Sequence, residues 1–407
     1  MSKIILIVID GLADEPIPQF KGKTPLEAAK TPNLDFLAEN GICGQVIPWI
    51  EKGKLPTSED THLAIFGYDP KKSNPGRGVL EALGINFKLR KNDICFRGNF
   101  ATVDDDLTII DRRAGRIEKT ENLISALNKI KVKGAKVIVK KSFGHRIVLV
   151  LRGKNLSEKV TKNDPKKVGV KVLRIVPKIK NAKRTVQILN QFLEKARFIL
   201  KNHPQNKKRI KEGKLPANFI LLRGAGKFRK VKSFKEKYKL RAAFIAGGVL
   251  YKGIGKYLKM KEIKVRGANG MKNTNLKGKI LALKKNIRKF DFIFLHIKAT
   301  DTFAEDGDFL GKKNFIEKID RNLKPILKLK DVLIVITGDH PTSCLKKSHA
   351  FGKNPVLIFG NGKDKVEKFS EKNCQKGDFG TLSQMDLLRK IFEIDKKIWK
   401  KYNEIYG

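Results

Sequence analysis

The sequence predicts an α/β protein, a mainly parallel sheet with helices on both faces, carrying an inserted smaller α+β domain. Three observations lead there. Apolar runs of strand length recur without alternation, as in "IILIVIDG", "FDFIFLHIKATD" and "DVLIVITGDH". Unbroken hydrophobicity of this kind means burial on both faces, the mark of a parallel sheet covered by helices. Helical patterns lie between such runs, for example "NAKRTVQILNQFLEKARFIL" and "KKNFIEKIDRNLKPILKL". Finally, from about residue 90 to 180 the strands become shorter and more alternating, with turn-like "DDD" and "RAGR" between them.

Taken in order, "IILIVIDG" is the first buried strand; its end in Asp10 and Gly11 lacks a small-residue cleavage site and so does not read as a signal peptide. "DICFRGNFATVDDD", "LTIIDRRAGRI", the helical "KTENLISALNKI", "AKVIVKKS" and "HRIVLVLRG" make up the smaller unit. The buried-strand pattern then resumes with "NFILLRGAG", "AAFIAGG", "FDFIFLHIKATD", "DVLIVITGDH" and "NPVLIFGNG", all assigned to the larger sheet. The expected division is therefore 1–89 with 181–407 for a discontinuous larger domain, and 90–180 for the insert.

The totals agree with two domains, since 407 residues exceed what one core usually organises. The chain is 41% hydrophobic, and no stretch approaches the roughly 18 apolar residues of a membrane span, so no membrane partner is expected. Four dispersed cysteines without a CxxC pair fit a reducing cytoplasm rather than a disulfide framework or zinc knuckle. The net charge of +47 attracts anions. Its lysines are scattered, as in "KKNIRKFDF", and no finger, KH or RRM motif appears, so no specific nucleic-acid partner is expected.

Polar groups gather where the strands end: Asp10; Asp301 with Glu305; Asp339 with His340, followed by His349. Ser58, in "TSEDTHLAIFGYDP", stands beside Glu59 and Asp60 with His62 one turn on. Each alone has a bland reading as a strand terminus, a helix cap or a satisfied histidine. Together they offer oxygen and nitrogen donors sufficient for two divalent cations, at the edge where open parallel sheets place their sites.

The motifs "IILIVIDGLAD", "TSEDTHLAIFGYDP", "HIKATD", "ITGDHPTSC" and "SHAFGKNPVLI" resemble the alkaline phosphatase superfamily. Within it, the chain resembles the archaeal type of cofactor-independent phosphoglycerate mutase, a likeness that extends through "NPGRGVLEALGI", "DRRAGRI" and "FIAGGVLYKGIGKYLKM". The resemblance implies an alkaline-phosphatase-like sheet and interconversion of 3- and 2-phosphoglycerate through a phosphoserine on Ser58. No 2,3-bisphosphoglycerate is then needed. It implies one metal ion at Asp10, Ser58, Asp339 and His340 and a second at Asp301, position 305 and His349. The family pattern has histidine at position 305; glutamate there favours Mn2+, with Mg2+, Co2+ or Zn2+ as alternatives, unless Asp306 takes the role or the second site is degraded.

By the same resemblance, basic groups of the insert and cleft hold the substrate's phosphate and carboxylate. The candidates are Arg97, Arg112, His145, Arg146, Arg223 and Lys298, with Asp111 either orienting a hydroxyl or capping a turn. Three other readings share features of the chain. A phosphomonoester hydrolase, or a mutase of another phosphorylated metabolite, would use the same metal core, and a polyanion-binding protein would account for the charge. The sequence leaves the oligomeric state open.

Overall fold

In the computed structural model, residues 3–394 are described. The chain forms two compact units, Met1–Asn74 with Val231–Gly407, and Pro75–Lys230. The first is built on an eight-stranded sheet, its strands numbered here along the chain: β1 (Lys3–Ile9), β2 (Gly41–Ile47), β8 (Ala242–Ile245), β9 (Lys261–Glu262), β10 (Phe292–Ile297), β11 (Val332–Gly338), β14 (Asn354–Phe359) and β15 (Gly380–Ser383). Their order is β15-β2-β14-β11-β1-β10-β8-β9, and only β14 runs against the rest. A short ribbon, β12 (Thr342–Ser343) with β13 (Ser348–His349), follows β11.

The centre of this sheet matches its apolar runs. Ile4 to Ile9 of β1 are all fully buried, and each such side chain contributes about 1.5–3 kcal/mol relative to exposure. Helices close the sheet through apolar stripes, for example Phe315, Ile316, Ile319 and Leu323 of the helix Phe309–Leu323. Register then positions the site. Ile9 pairs with Ile297 on one side and Gly338 on the other, so the next residues, Asp10, Lys298 and Asp339, leave the sheet at one edge.

The second unit carries a five-stranded antiparallel sheet of β3 (Ile94–Val103), β4 (Ile109–Asp111), β5 (Lys136–Phe143), β6 (Arg146–Arg152) and β7 (Phe219–Lys227). The helix Lys183–Asn202 buries Leu189, Phe192, Ala196 and Leu200 in that unit's core. The insert is thus wider than the 90–180 expected, because β7 pairs along β3 and the 183–202 helix packs on the same core. "NFILLRGAG", assigned to the parallel sheet, is β7 of this antiparallel one, and "NPVLIFGNG" is the reversed strand β14. An apolar run records burial on both faces but not strand direction, which depends on a partner elsewhere in the chain.

All four cysteines are buried and free. Among the described residues, no helix is long and apolar enough to cross a membrane.

Candidate active site

Asp10 follows β1 directly, and Gly11 turns the chain away with φ +64°. A Cβ on Gly11 would lie 2.6 Å from Thr342 Oγ1 and 2.9 Å from Asp301 Cα, so only glycine lets these three segments approach. Ser58 is the first residue of the helix Ser58–Ile65. Thr57 caps that helix by accepting the Asp60 backbone N–H at 3.3 Å. Asp60 is held in turn by Asn74 at 2.6 Å. The acids beside Ser58 therefore belong to the helix start, where unpaired N–H groups also favour an anion.

Four of the expected ligands converge. His340 Nε2 lies 3.1 Å from Asp339 Oδ2, 3.4 Å from Ser58 Oγ and 3.7 Å from Asp10 Oδ1. Thr342 Oγ1 donates its only proton to Asp301 Oδ1 at 2.9 Å and lies 3.2 Å from His340 Nδ1. Nδ1 is therefore the donor to Thr342, and Nε2 presents its lone pair to the carboxylates and to the Ser58 hydroxyl. Asp10 Oδ1 and Asp339 Oδ2 are buried with no hydrogen-bond partner among the described residues. Buried acceptors facing one another are costly unless a positive charge joins them. That donor set fits a divalent cation.

The remaining oxygens are engaged. Asp339 Oδ1 accepts the backbone N–H of Gly11 at 3.0 Å and of His340 at 2.9 Å. Asp10 Oδ2 accepts from the Tyr251 hydroxyl and lies 3.4 Å from both Lys298 Nζ and His296 Nε2. Burial alone would raise Asp10, but Lys298 and His296 outweigh it and hold the carboxyl well below its usual range. Asp339 has no such lysine: burial, reinforced by Asp10, pushes it well above. The polarity of the site is thus short of positive charge on the Asp339 side.

A second group joins Asp301, His340 and His349. His349 Nδ1 donates to the Pro56 carbonyl at 2.7 Å, which leaves Nε2 facing Asp301 Oδ1 at 3.6 Å. Asp301 Oδ2 is paired with Lys298 at 2.7 Å. Glu305 does not join this group. It ends the helix Ala299–Glu305 exposed to solvent, although its charge reaches Lys298. Asp306 is paired instead with Lys272 at 2.9 Å.

The other candidates, Lys298 apart, lie in the smaller unit. Arg97 is buried on β3, opposite Arg223 of β7, and its Nε is 3.4 Å from Glu81 Oε1. Arg77 reaches the same oxygen at 3.5 Å. Burial, then the charge of Arg77, holds Arg97 well below the usual guanidinium range. Arg112 and Arg223 share Asp164, at 2.8 and 3.1 Å. Burial, then Arg146, brings His145 down to about 3. Asp111 caps a turn, accepting the backbone N–H groups of Arg113 and Gly115.

Sequence reasoning missed several residues of these clusters: Tyr251, His296, Thr342, Arg77 and Glu81. It noted His62 without giving it a role. Burial lowers His62 to about 3 and His296 to about 4. His296, in "HIKATD", had a signal, a polar residue inside an apolar strand run; Tyr251 had none.

A family described as 2,3-bisphosphoglycerate-independent phosphoglycerate mutase matches residues 38–206. The chain is 45% identical to the 2,3-bisphosphoglycerate-independent phosphoglycerate mutase 1 of Archaeoglobus fulgidus, covering 95% of this chain and 96% of that one. It is 44% identical to the enzyme of that name from Methanococcus aeolicus, covering 98% and 99%. Among solved structures, a Pyrococcus horikoshii protein superposes with TM-score 0.82 at 33% identity, over 98% of each chain. The cofactor-independent phosphoglycerate mutase of Thermoplasma acidophilum superposes with TM-score 0.67 at 35% identity, over 96% and 98%.

Proposed function

The chain belongs to the 2,3-bisphosphoglycerate-independent phosphoglycerate mutases, and from that premise we propose that Ser58 is the group that carries the phosphoryl between the 3- and 2-hydroxyls of glycerate. The enzyme is an isomerase acting on phosphoglycerate. The observation that carries the proposal is the convergence of Ser58 Oγ, His340 Nε2, Asp10 Oδ1 and Asp339 Oδ2, in which the two carboxylate oxygens have no hydrogen-bond partner among the described residues.

Asp10, Ser58, Asp339 and His340 would hold one divalent cation, and Asp301 with His349 the core of a second. Carboxylate and hydroxyl oxygens with imidazole suit manganese. Such ions supply Lewis acidity, favouring the serine alkoxide and neutralising phosphoryl oxygens. The side chains then have distinct tasks. The Nδ1–H of His340, held by Thr342, would leave Nε2 to the cation beside the Ser58 hydroxyl. The start of the helix Ser58–Ile65 favours the transferred anion. Lys298 keeps Asp10 and Asp301 ionised. The arginines around Arg97 supply the fork geometry that carboxylate and phosphate require. Because the same phosphoryl group returns to the same glycerate, 2,3-bisphosphoglycerate has no part in the reaction. A cytoplasmic location belongs to this reading, as four free thiols suit a reducing compartment.

An enolase-coupled assay without bisphosphoglycerate tests it. Chelation should abolish turnover and manganese restore it. Ser58→Ala should lower kcat by at least about 10⁴-fold, as loss of a nucleophile does. Substantial residual turnover in Ser58→Ala, or release of inorganic phosphate in place of 2-phosphoglycerate, would refute the proposal.

A further inference from the structure

One buried polar side chain of the larger unit has no task in this mechanism. His62 lies one turn beyond Ser58 and is fully buried. Its Nδ1 is 2.7 Å from the Ser58 carbonyl oxygen, and a carbonyl only accepts, so Nδ1 carries the proton. The same nitrogen is 3.5 Å from Asp339 Oδ2, the carboxylate oxygen of that residue with no hydrogen-bond partner among the described residues. One N–H therefore faces two segments, the helix turn that carries Ser58 and the strand end that carries Asp339.

The other ring nitrogen does nothing comparable. His62 Nε2 has no hydrogen-bond partner among the described residues. The ring sits among Tyr251, His296 and Phe294, with centroids 4.9, 5.1 and 5.8 Å away. Leaving a buried nitrogen unsatisfied costs on the order of 1–3 kcal/mol. An apolar ring would fill the same space without that cost, so packing alone does not account for histidine here. What the imidazole adds is the donor at Nδ1.

We infer that His62 is a positioning residue for the nucleophile, its Nδ1–H clamping the first turn of the helix Ser58–Ile65 and aiming the Asp339 carboxylate at the Ser58 hydroxyl. The inference rests on the reading of Ser58 as phosphoryl acceptor. Two amides separate donor position from packing, because asparagine places its N–H near the position of Nδ1 and glutamine near that of Nε2. Three quantities are measured on the full chain: kcat and KM for phosphoglycerate, manganese affinity by calorimetry of the cation-free protein, and thermal unfolding.

For His62→Gln, kcat should fall about 10- to 100-fold with KM changed less than about twofold. Its manganese affinity should weaken about tenfold, since the orientation of a ligand carboxylate is lost. His62→Asn should keep most of both. Equal behaviour of the two variants, whether both unimpaired or both impaired, would overturn the inference. Should His62→Gln not fold, His62→Asn decides: activity near that of the parent supports the clamp, and a loss above tenfold with unchanged unfolding temperature overturns it. Turnover surviving in Ser58→Ala would sink the Ser58 reading instead, and would leave the manganese titrations of the His62 variants standing.

Discussion

The two units bury opposite charges in mirrored fashion. The larger gathers three carboxylates, Asp10, Asp301 and Asp339, of which only the first two are paired with a lysine, Lys298. The smaller gathers Arg77, Arg97 and Arg146, of which Arg97 is the most deeply buried, around the carboxylate of Glu81, with Arg223 beside Arg97 and paired to Asp164. Neither cluster is neutralised by its own side chains. A protein selected for stability alone would replace such groups with apolar ones at little cost or at a gain. Under the proposed function the difference in sign corresponds to what each unit would take up, cations in one and anionic groups of a small metabolite in the other.

Beyond Ser58→Ala, whose effect is the largest expected, Lys298 offers the strongest way to break this comparison. Lys298→Met leaves Asp10 and Asp301 facing each other without their shared cation. The cation-free protein should lose about 3 kcal/mol of stability. Manganese should raise the unfolding temperature of the variant by more than that of the parent, by mass action on an emptier site. Equal unfolding temperatures of the two cation-free proteins would show that Lys298 does not govern the larger cluster.

In the smaller unit the matching substitution is Glu81→Gln. Arg97, Arg77 and Arg146 overcome the burial of Glu81 and hold its carboxyl below the ordinary value. A depressed carboxyl stabilises the fold above its unfolded value and loses that contribution as pH falls through the folded one. The variant should therefore be about 2 kcal/mol less stable at pH 7 and draw level in acid, with inorganic phosphate recovering part of the loss. A loss that is independent of pH and of phosphate would remove the arginine cluster from consideration as an anion site.

Glu371 supplies the opposite sign within the larger unit. Burial raises it to about 7, with Glu27 adding to the rise, although Thr24 Oγ1 donates to it at 2.8 Å. A carboxyl raised in the fold helps below its unfolded value, and its help is lost as pH climbs through the folded one. Glu371→Gln should thus gain about 2 kcal/mol on its parent between pH 5 and pH 8, read from denaturant unfolding. A flat difference over that range would contradict the assignment.

The sequence made one half of the larger cluster legible. Asp10, Asp301, Asp339 and His340 end apolar runs, and a charge there has no place inside a sheet, so it marks an edge. Ser58 and His349 needed the family likeness, since a serine at a helix start and an isolated histidine each have ordinary explanations. Tyr251 was invisible because its role is to hold Asp10 across 241 residues of separation. Such a role exists only once β8, which leads into the helix carrying Tyr251, is paired with β10 and β10 with β1. Thr342 acts in the same way, through Asp301 and His340. The insert's limits failed for a related reason: β7 is as apolar as a central parallel strand, and only its antiparallel pairing with β3 shows where it belongs.

Glu305 sharpens the comparison with the smallest effect. Four residues after Asp301 on one helix, it has the spacing of a second ligand on the same face. It is nevertheless exposed and stands outside both donor groups found among the described residues. Its influence reaches the site only as charge on Lys298. Charge acting through solvent is screened, whereas a lost ligand or its direct support costs about 10- to 100-fold in affinity. Glu305→Gln should therefore change manganese affinity less than about threefold, and salt should erase even that difference. A loss of tenfold or more, insensitive to salt, would place the carboxylate on the ion and make Asp301 and His349 two parts of a three-ligand site.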